Sequence, residues 1–100
     1  MTTQHTPGPW TTDGAARTGD LDVISPAGRI TLIDCEFSDE SEDVLTANAR
    51  LIAAAPDLLN MLRNAENWFR EYDVQNGPDS GAQLLLEDIR AAIDKAMGAA

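Results

Sequence analysis

The chain has 100 residues, 43% of them hydrophobic, and 17 acidic against seven basic side chains give it a formal net charge of −10. That length suits one domain and is too short for two independent cores. An anionic chain repels the phosphates of nucleic acids and anionic membranes and is attracted to basic protein surfaces. The composition therefore argues against direct nucleic-acid or membrane binding and favours a basic protein partner.

Features that direct a chain to a membrane or an oxidising compartment are not expected. The first residues contain neither a basic stretch nor an apolar one, so no signal peptide is predicted. No apolar run approaches the roughly 18 residues that a membrane span requires. Cys35 is the single cysteine and fits a reducing compartment. These observations predict a cytoplasmic protein.

The first third of the chain predicts β-structure. Residues 1–9 are polar and contain two prolines, which is typical of an extended arm, and Trp10 is expected to anchor that arm to the core. Residues 21–24 and 29–34 are rich in β-branched side chains and flank a Ser-Pro-Ala-Gly turn, so they predict an antiparallel hairpin. A third strand is expected near residues 10–12.

The remainder of the chain predicts three helices. Ser38 or Ser41 is expected to cap the first, which would run to about Ala54 and end before Pro56. The second is expected to end at residues 76–78, and Asp79 or Ser80 to cap the third. Apolar stripes at helical spacing are predicted for the last two helices, formed by Leu58, Leu62, Ala65, Phe69 and Tyr72 and by Leu85, Ile89, Ala92, Ile93 and Ala96.

The predicted fold is α+β, with an N-terminal antiparallel hairpin or small three-stranded sheet packed on three helices. It forms a single domain of residues 1–100, with an arm at 1–9, a β-region at 10–34 and a helical region at 41–97. The helical stripes exceed what three helices can bury among themselves, which predicts a homodimer.

No combination of residues points to catalysis. His5 is the single histidine and lies in the arm, and Cys35 has acidic neighbours that oppose the thiolate a nucleophile needs. Zinc requires about four nitrogen or sulfur ligands, and only these two side chains supply them. We therefore expect no enzyme, no metal and no cofactor. A divalent-metal-dependent or hydrolytic enzyme is the alternative from another class.

Six acidic residues without a basic one among them lie between the hairpin and the first helix. This acidic cluster consists of Asp34, Glu36, Asp39, Glu40, Glu42 and Asp43. It is interpreted either as a solvated loop whose acids favour a helix N-terminus, or as a surface for Lys and Arg side chains that normally hold nucleic acid. The second interpretation makes the acidic cluster the predicted partner-binding site.

Three segments resemble a large family of small phage and prophage proteins. Residues 5–10 (HTPGPW) are similar to the family's opening, and residues 47–59 (ANARLIAAAPDLL) are similar to its second hallmark. Residues 91–96 (AAIDKA) are similar to its usual ending. This resemblance implies a phage protein acting in the cytoplasm of an infected bacterial host.

The length and acidity of the chain also resemble those of anti-CRISPR proteins that act on the type I-F (Csy) surveillance complex. That resemblance implies an inhibitor that binds this Cascade complex near its Cas7 and Cas8 subunits and blocks the binding or unwinding of target DNA. Such complexes hold their nucleic acids in positively charged channels. The alternative is a phage accessory protein that binds a different host or phage protein.

Overall fold

The computed structural model describes residues 4–36, 38–76 and 81–98 of the chain. A short 3-10 turn at Ala16–Thr18 separates the first two strands. The strands and helices are β1 (Thr11–Ala15), β2 (Asp20–Ser25), β3 (Gly28–Ile33), α1 (Glu42–Asn76) and α2 (Ala82–Met97). The predicted α+β class and the third strand are confirmed, whereas the prediction of three helices is wrong.

The three strands form one antiparallel sheet in the order β1-β2-β3. At the predicted turn, Ser25 Oγ accepts a hydrogen bond from the Ala27 amide at 3.1 Å and donates one to the Gly28 carbonyl at 3.1 Å. Pro26 at the second position of this turn supplies the fixed φ that the reversal needs. The predicted hairpin is therefore present with its turn chemistry satisfied.

Gly14 allows β1 to approach β2 closely. Its φ is +82°, and a Cβ atom at this position would overlap the backbone carbonyl oxygen of Asp20. Gly19, which precedes β2, also has a positive φ of +73°, but open space surrounds the position of its absent Cβ. Gly14 thus meets a steric as well as a conformational requirement.

Helix α1 continues through Pro56, so the prediction that this proline ends a helix is wrong. A proline inside a helix removes one backbone donor and crowds the preceding turn, which ordinarily costs about 3 kcal/mol. Here Pro56 is buried, and Gly8 of the N-terminal arm packs against its ring. Burial of the ring offsets part of the cost of the lost hydrogen bond.

The residues pack into two compact units, the sheet unit (His5–Asp57) and the helical unit, which contains Leu58–Ala100. In the sheet unit, Leu21 and Val23 of β2 are almost completely buried against one face of α1. Ala49 of α1 is fully buried there, and its small side chain lets the helix lie close to the sheet. Trp10 packs against this core, as the sequence predicts.

In the helical unit, Leu59 of α1 and Leu86 and Ile89 of α2 are buried. Arg63 Nη2 donates to Met97 Sδ at 3.2 Å, and Arg90 pairs with Glu66 at 3.5 Å. Arg63 precedes Glu66 in α1, whereas its partner Met97 follows Arg90 in α2. The two helices therefore run antiparallel.

The ends of α2 were predicted only in part. Gly81 stands before its first turn with φ +85° and no side-chain cap. The predicted caps Asp79 and Ser80 lie outside the described residues, as do Gly77 and Pro78 of the predicted helix end. Across the part of the chain that the structure describes, no helix combines the length and apolar character that crossing a membrane demands.

Candidate functional site

The acidic cluster occupies the connection between β3 and α1 and the first turn of that helix. All six carboxylate residues are exposed. Five of them, Glu36, Asp39, Glu40, Glu42 and Asp43, take part in neither ion pair that the described residues form. The structure therefore places the predicted residues together on the surface of the sheet unit, with their negative charge directed to solvent.

Two serines order the backbone that carries the acidic cluster. Ser38 Oγ accepts a hydrogen bond from the Glu40 amide at 3.1 Å. Ser41 Oγ accepts one from the Val44 amide at 3.2 Å, which is the geometry of a helix N-cap. Of the two predicted caps, Ser41 is therefore the one used. Glu42 and Asp43 lie in the first turn, where the helix dipole stabilises negative charge.

A depression of about 230 Å³ adjoins the start of the acidic cluster. It is lined by Gly19, Leu32, Ile33, Asp34, Cys35 and Glu36. Small-molecule sites usually have volumes of about 300–1,000 Å³, so this depression suits a single side chain better than a drug-sized ligand. The aliphatic stem of a Lys or Arg fits such a place, because its apolar part meets Leu32 while its charged end meets carboxylates.

Cys35 and His5 both have local partners. Cys35 is half-buried against the core, and its thiol donates to the Ile33 carbonyl at 3.3 Å. His5 Nδ1 lies 2.9 Å from the Thr6 carbonyl oxygen, a distance at which a protonated Nδ1 donates a hydrogen bond. Trp10 Nε1 donates to the same oxygen at 3.1 Å, and the His5 and Trp10 rings meet edge to face. Among the described residues, no three His, Cys, Asp or Glu side chains converge as a metal site requires.

No sequence pattern marks Asp22, which is 8% exposed in the central strand. One carboxylate oxygen lies 3.5 Å from Arg29 Nη2, and the other has no hydrogen-bond partner among the residues described. Asp22 also lies opposite Asp13 of β1 in the sheet register. The Arg29 contact bridges β2 and β3, so we assign Asp22 a place in the hairpin rather than in the candidate site.

Two neighbouring aromatic residues of the helical unit are exposed in the structure. Tyr72 belongs to the apolar stripe predicted for the second helix, and Trp68 lies one turn before it. In the structure Trp68 is 58% exposed, Tyr72 is 37% exposed, and their rings stack at 5.3 Å.

Comparison with known proteins identifies one family. The model of the family described as Salmonella phage P22 protein Y8K6 matches residues 1–100. No curated protein and no solved structure matches the chain.

Proposed function

Because the chain belongs to the family of the Salmonella phage P22 protein Y8K6, we propose that it is a phage protein that binds and blocks a basic surface on a host protein complex. The observation that carries this proposal is the position of the acidic cluster next to an apolar depression. Carboxylates and aliphatic groups that line one depression together recognise Lys and Arg side chains better than either feature alone.

The specific target proposed is the type I-F (Csy) surveillance complex, near its Cas7 and Cas8 subunits. Its nucleic acids are held in positively charged channels, so a protein carrying clustered carboxylates competes for the same cationic side chains. Inhibition then needs no covalent chemistry, because occupation of the channel excludes target DNA sterically and electrostatically. The chain's net charge of −10 also raises the rate of encounter with such a surface.

The test is a pull-down of purified type I-F complex with the tagged protein, followed by a mobility-shift assay of target-DNA binding. The informative variant carries Glu36→Gln, Asp39→Asn and Glu40→Gln. Its matched control carries Glu87→Gln, Asp88→Asn and Asp94→Asn, three exposed acids of α2. Both variants lose three negative charges, so a difference between them reports position rather than net charge.

We expect the cluster variant to bind about tenfold more weakly, since three exposed charge pairs contribute about 0.2–1 kcal/mol each. The control variant is expected to bind like the wild type. Equal weakening of both variants would reject the acidic cluster as the binding site. Failure of the wild-type protein to bind the complex would reject the CRISPR target and leave the alternative of a phage accessory protein. The partner of such a protein would be captured from host lysate, and its binding would be compared between the same two variants.

A further inference from the structure

The helical unit leaves a row of apolar side chains exposed or partly exposed along α1. Leu58 is 49% exposed, Met61 64% and Trp68 58%, and Ala65 and Tyr72 complete the row. The intervals between these five residues alternate between three and four. That alternation is the heptad pattern by which two helices pack side chains into each other's surfaces.

Helix α2 continues this apolar surface. At about 100° per residue, Leu85, Ala92 and Ala96 lie roughly a quarter turn from the buried side of α2. The row on α1 is centred about 140° from the buried Leu59, in the same rotational sense. Since the two helices run antiparallel, these rotations bring both rows to the same side of the pair. The apolar helical face consists of Leu58, Met61, Ala65, Trp68, Tyr72, Leu85, Ala92 and Ala96.

The apolar helical face carries no acidic or basic side chain, although 24% of the chain's residues are charged. Two copies of a protein with a net charge of −10 repel each other most strongly where their carboxylates would meet. Because the apolar helical face has no carboxylates, two copies that meet through it bring no carboxylates together at its centre. It is therefore suited to contact with an identical surface.

The area of the face fits a weak dimer. From the exposed fractions and ordinary side-chain areas, about 600 Å² of apolar surface is available on each copy. Burying it on two copies removes about 1,200 Å² from water, which is the lower limit for specific protein interfaces. An apolar patch of about 600 Å² is also at the upper end of what monomeric proteins leave exposed.

We propose that a second copy of this chain covers the apolar helical face, so that two helical pairs form a four-helix arrangement. Large side chains of α1, such as Trp68 and Met61, lie over the small Ala92 and Ala96 of the partner's α2. Opposing large with small residues fills the space between helices without voids. The interface belongs to the helical unit and does not depend on the proposed function of the acidic cluster.

Sedimentation equilibrium of the full chain tests the proposal, over about 1 to 300 μM, a range that brackets a micromolar dissociation constant. We expect the average mass to rise from 10.8 kDa towards twice that value. Leu85→Glu is expected to keep the protein monomeric throughout. Leu84→Glu is the matched control, because Leu84 is 72% exposed and lies about 100° around the helix from Leu85.

A second pair of variants, in α1, distinguishes loss of the dimer from a folding defect in α2. Met61→Glu is expected to abolish the rise in mass, whereas Asn60→Glu, at the neighbouring exposed position, is expected to preserve it. Far-ultraviolet circular dichroism establishes that each variant is folded. A wild-type protein that stays monomeric at the highest concentration overturns the proposal. Equal dissociation of the dimer by Leu84→Glu and Leu85→Glu also overturns it. If the wild-type protein is monomeric and Leu85→Glu abolishes its binding to a different protein, the apolar helical face binds that protein and the proposal is rejected.

Discussion

Gly8 lies against Pro56, and a Cβ atom built on Gly8 would be 3.4 Å from the Cβ atom of Pro56. The two residues belong to the segments HTPGPW and ANARLIAAAPDLL, which are far apart in the sequence. Their contact gives both segments a structural reason to occur in one chain. The first segment covers the proline that the second introduces into α1.

This contact predicts how Gly8 tolerates substitution. Gly8→Ala should leave stability nearly unchanged, because 3.4 Å is an ordinary van der Waals distance. Gly8→Val should destabilise the protein by about 1 kcal/mol, because its branched methyl groups overpack the proline ring. Thermal unfolding measures both, and a loss of about 1 kcal/mol lowers the melting temperature of a chain this size by about 4–8 °C. Equal melting temperatures for the two variants would show that close approach is unnecessary.

Gly14 and Gly19 form a matched pair with different steric surroundings. Both have positive φ, so Gly19→Ala should cost about 1 kcal/mol from backbone conformation alone. Gly14→Ala adds a collision with the Asp20 carbonyl and should be several times more destabilising. Urea unfolding of both variants measures the difference in the free energy of unfolding. Similar losses would mean that β1 moves away from β2 at little cost.

Ala49 tests the close packing of α1 on the sheet. Ala49→Leu should destabilise the protein by about 1–3 kcal/mol, because the site is fully buried and has no room for three more carbon atoms. Ala47→Leu, at an exposed position of the same helix, should change stability by less than about 0.5 kcal/mol. Both variants have the same intrinsic helix propensity, so their difference in urea midpoint reports packing.

Alanine substitutions at Ser41 and Ser38 distinguish the contribution of helix capping from that of the preceding turn. Ser41→Ala should lower stability by about 1 kcal/mol, because the Val44 amide loses its acceptor at the helix N-terminus. Ser38→Ala removes a hydrogen bond outside the helix and should have a smaller effect. Chemical denaturation followed by circular dichroism compares the two. A larger effect for Ser38→Ala would contradict the assignment of Ser41 as the cap.

Local signals predicted the strands and the cap correctly, because their causes lie within a few residues. The hairpin follows from Pro26 and Gly28, and the helix start follows from Ser41. The effect of Pro56 was predicted wrongly for the opposite reason. Its effect on α1 depends on packing with Gly8, and nothing within the surrounding segment of sequence indicates that contact.

The candidate site was also predictable only in part. The acidic cluster lies within residues 34–43, so its exposure followed from the composition of that segment. The depression beside it was not predicted, because Gly19 is far from Leu32 and Cys35 in the sequence and lies beside them only in the folded sheet unit. The two predicted helical stripes had the correct period, but the structure buries Leu59 and Leu86 in place of Leu58 and Leu85. A rotation of each helix by one residue position determines which apolar side chains stay exposed and available to another molecule.

Pro56 has no amide proton, so the carbonyl of Ile52 lacks its usual helical donor. This break in the hydrogen-bond ladder of α1 falls just before Leu58, where the helical unit begins. The residues on its two sides are buried in different units, Ala49 in the core of the sheet unit and Leu59 in the helical unit. Hydrogen–deuterium exchange should therefore resolve α1 into two cooperative opening units. A single opening free energy from Leu45 to Arg70 would show that the helix opens as one body despite the break.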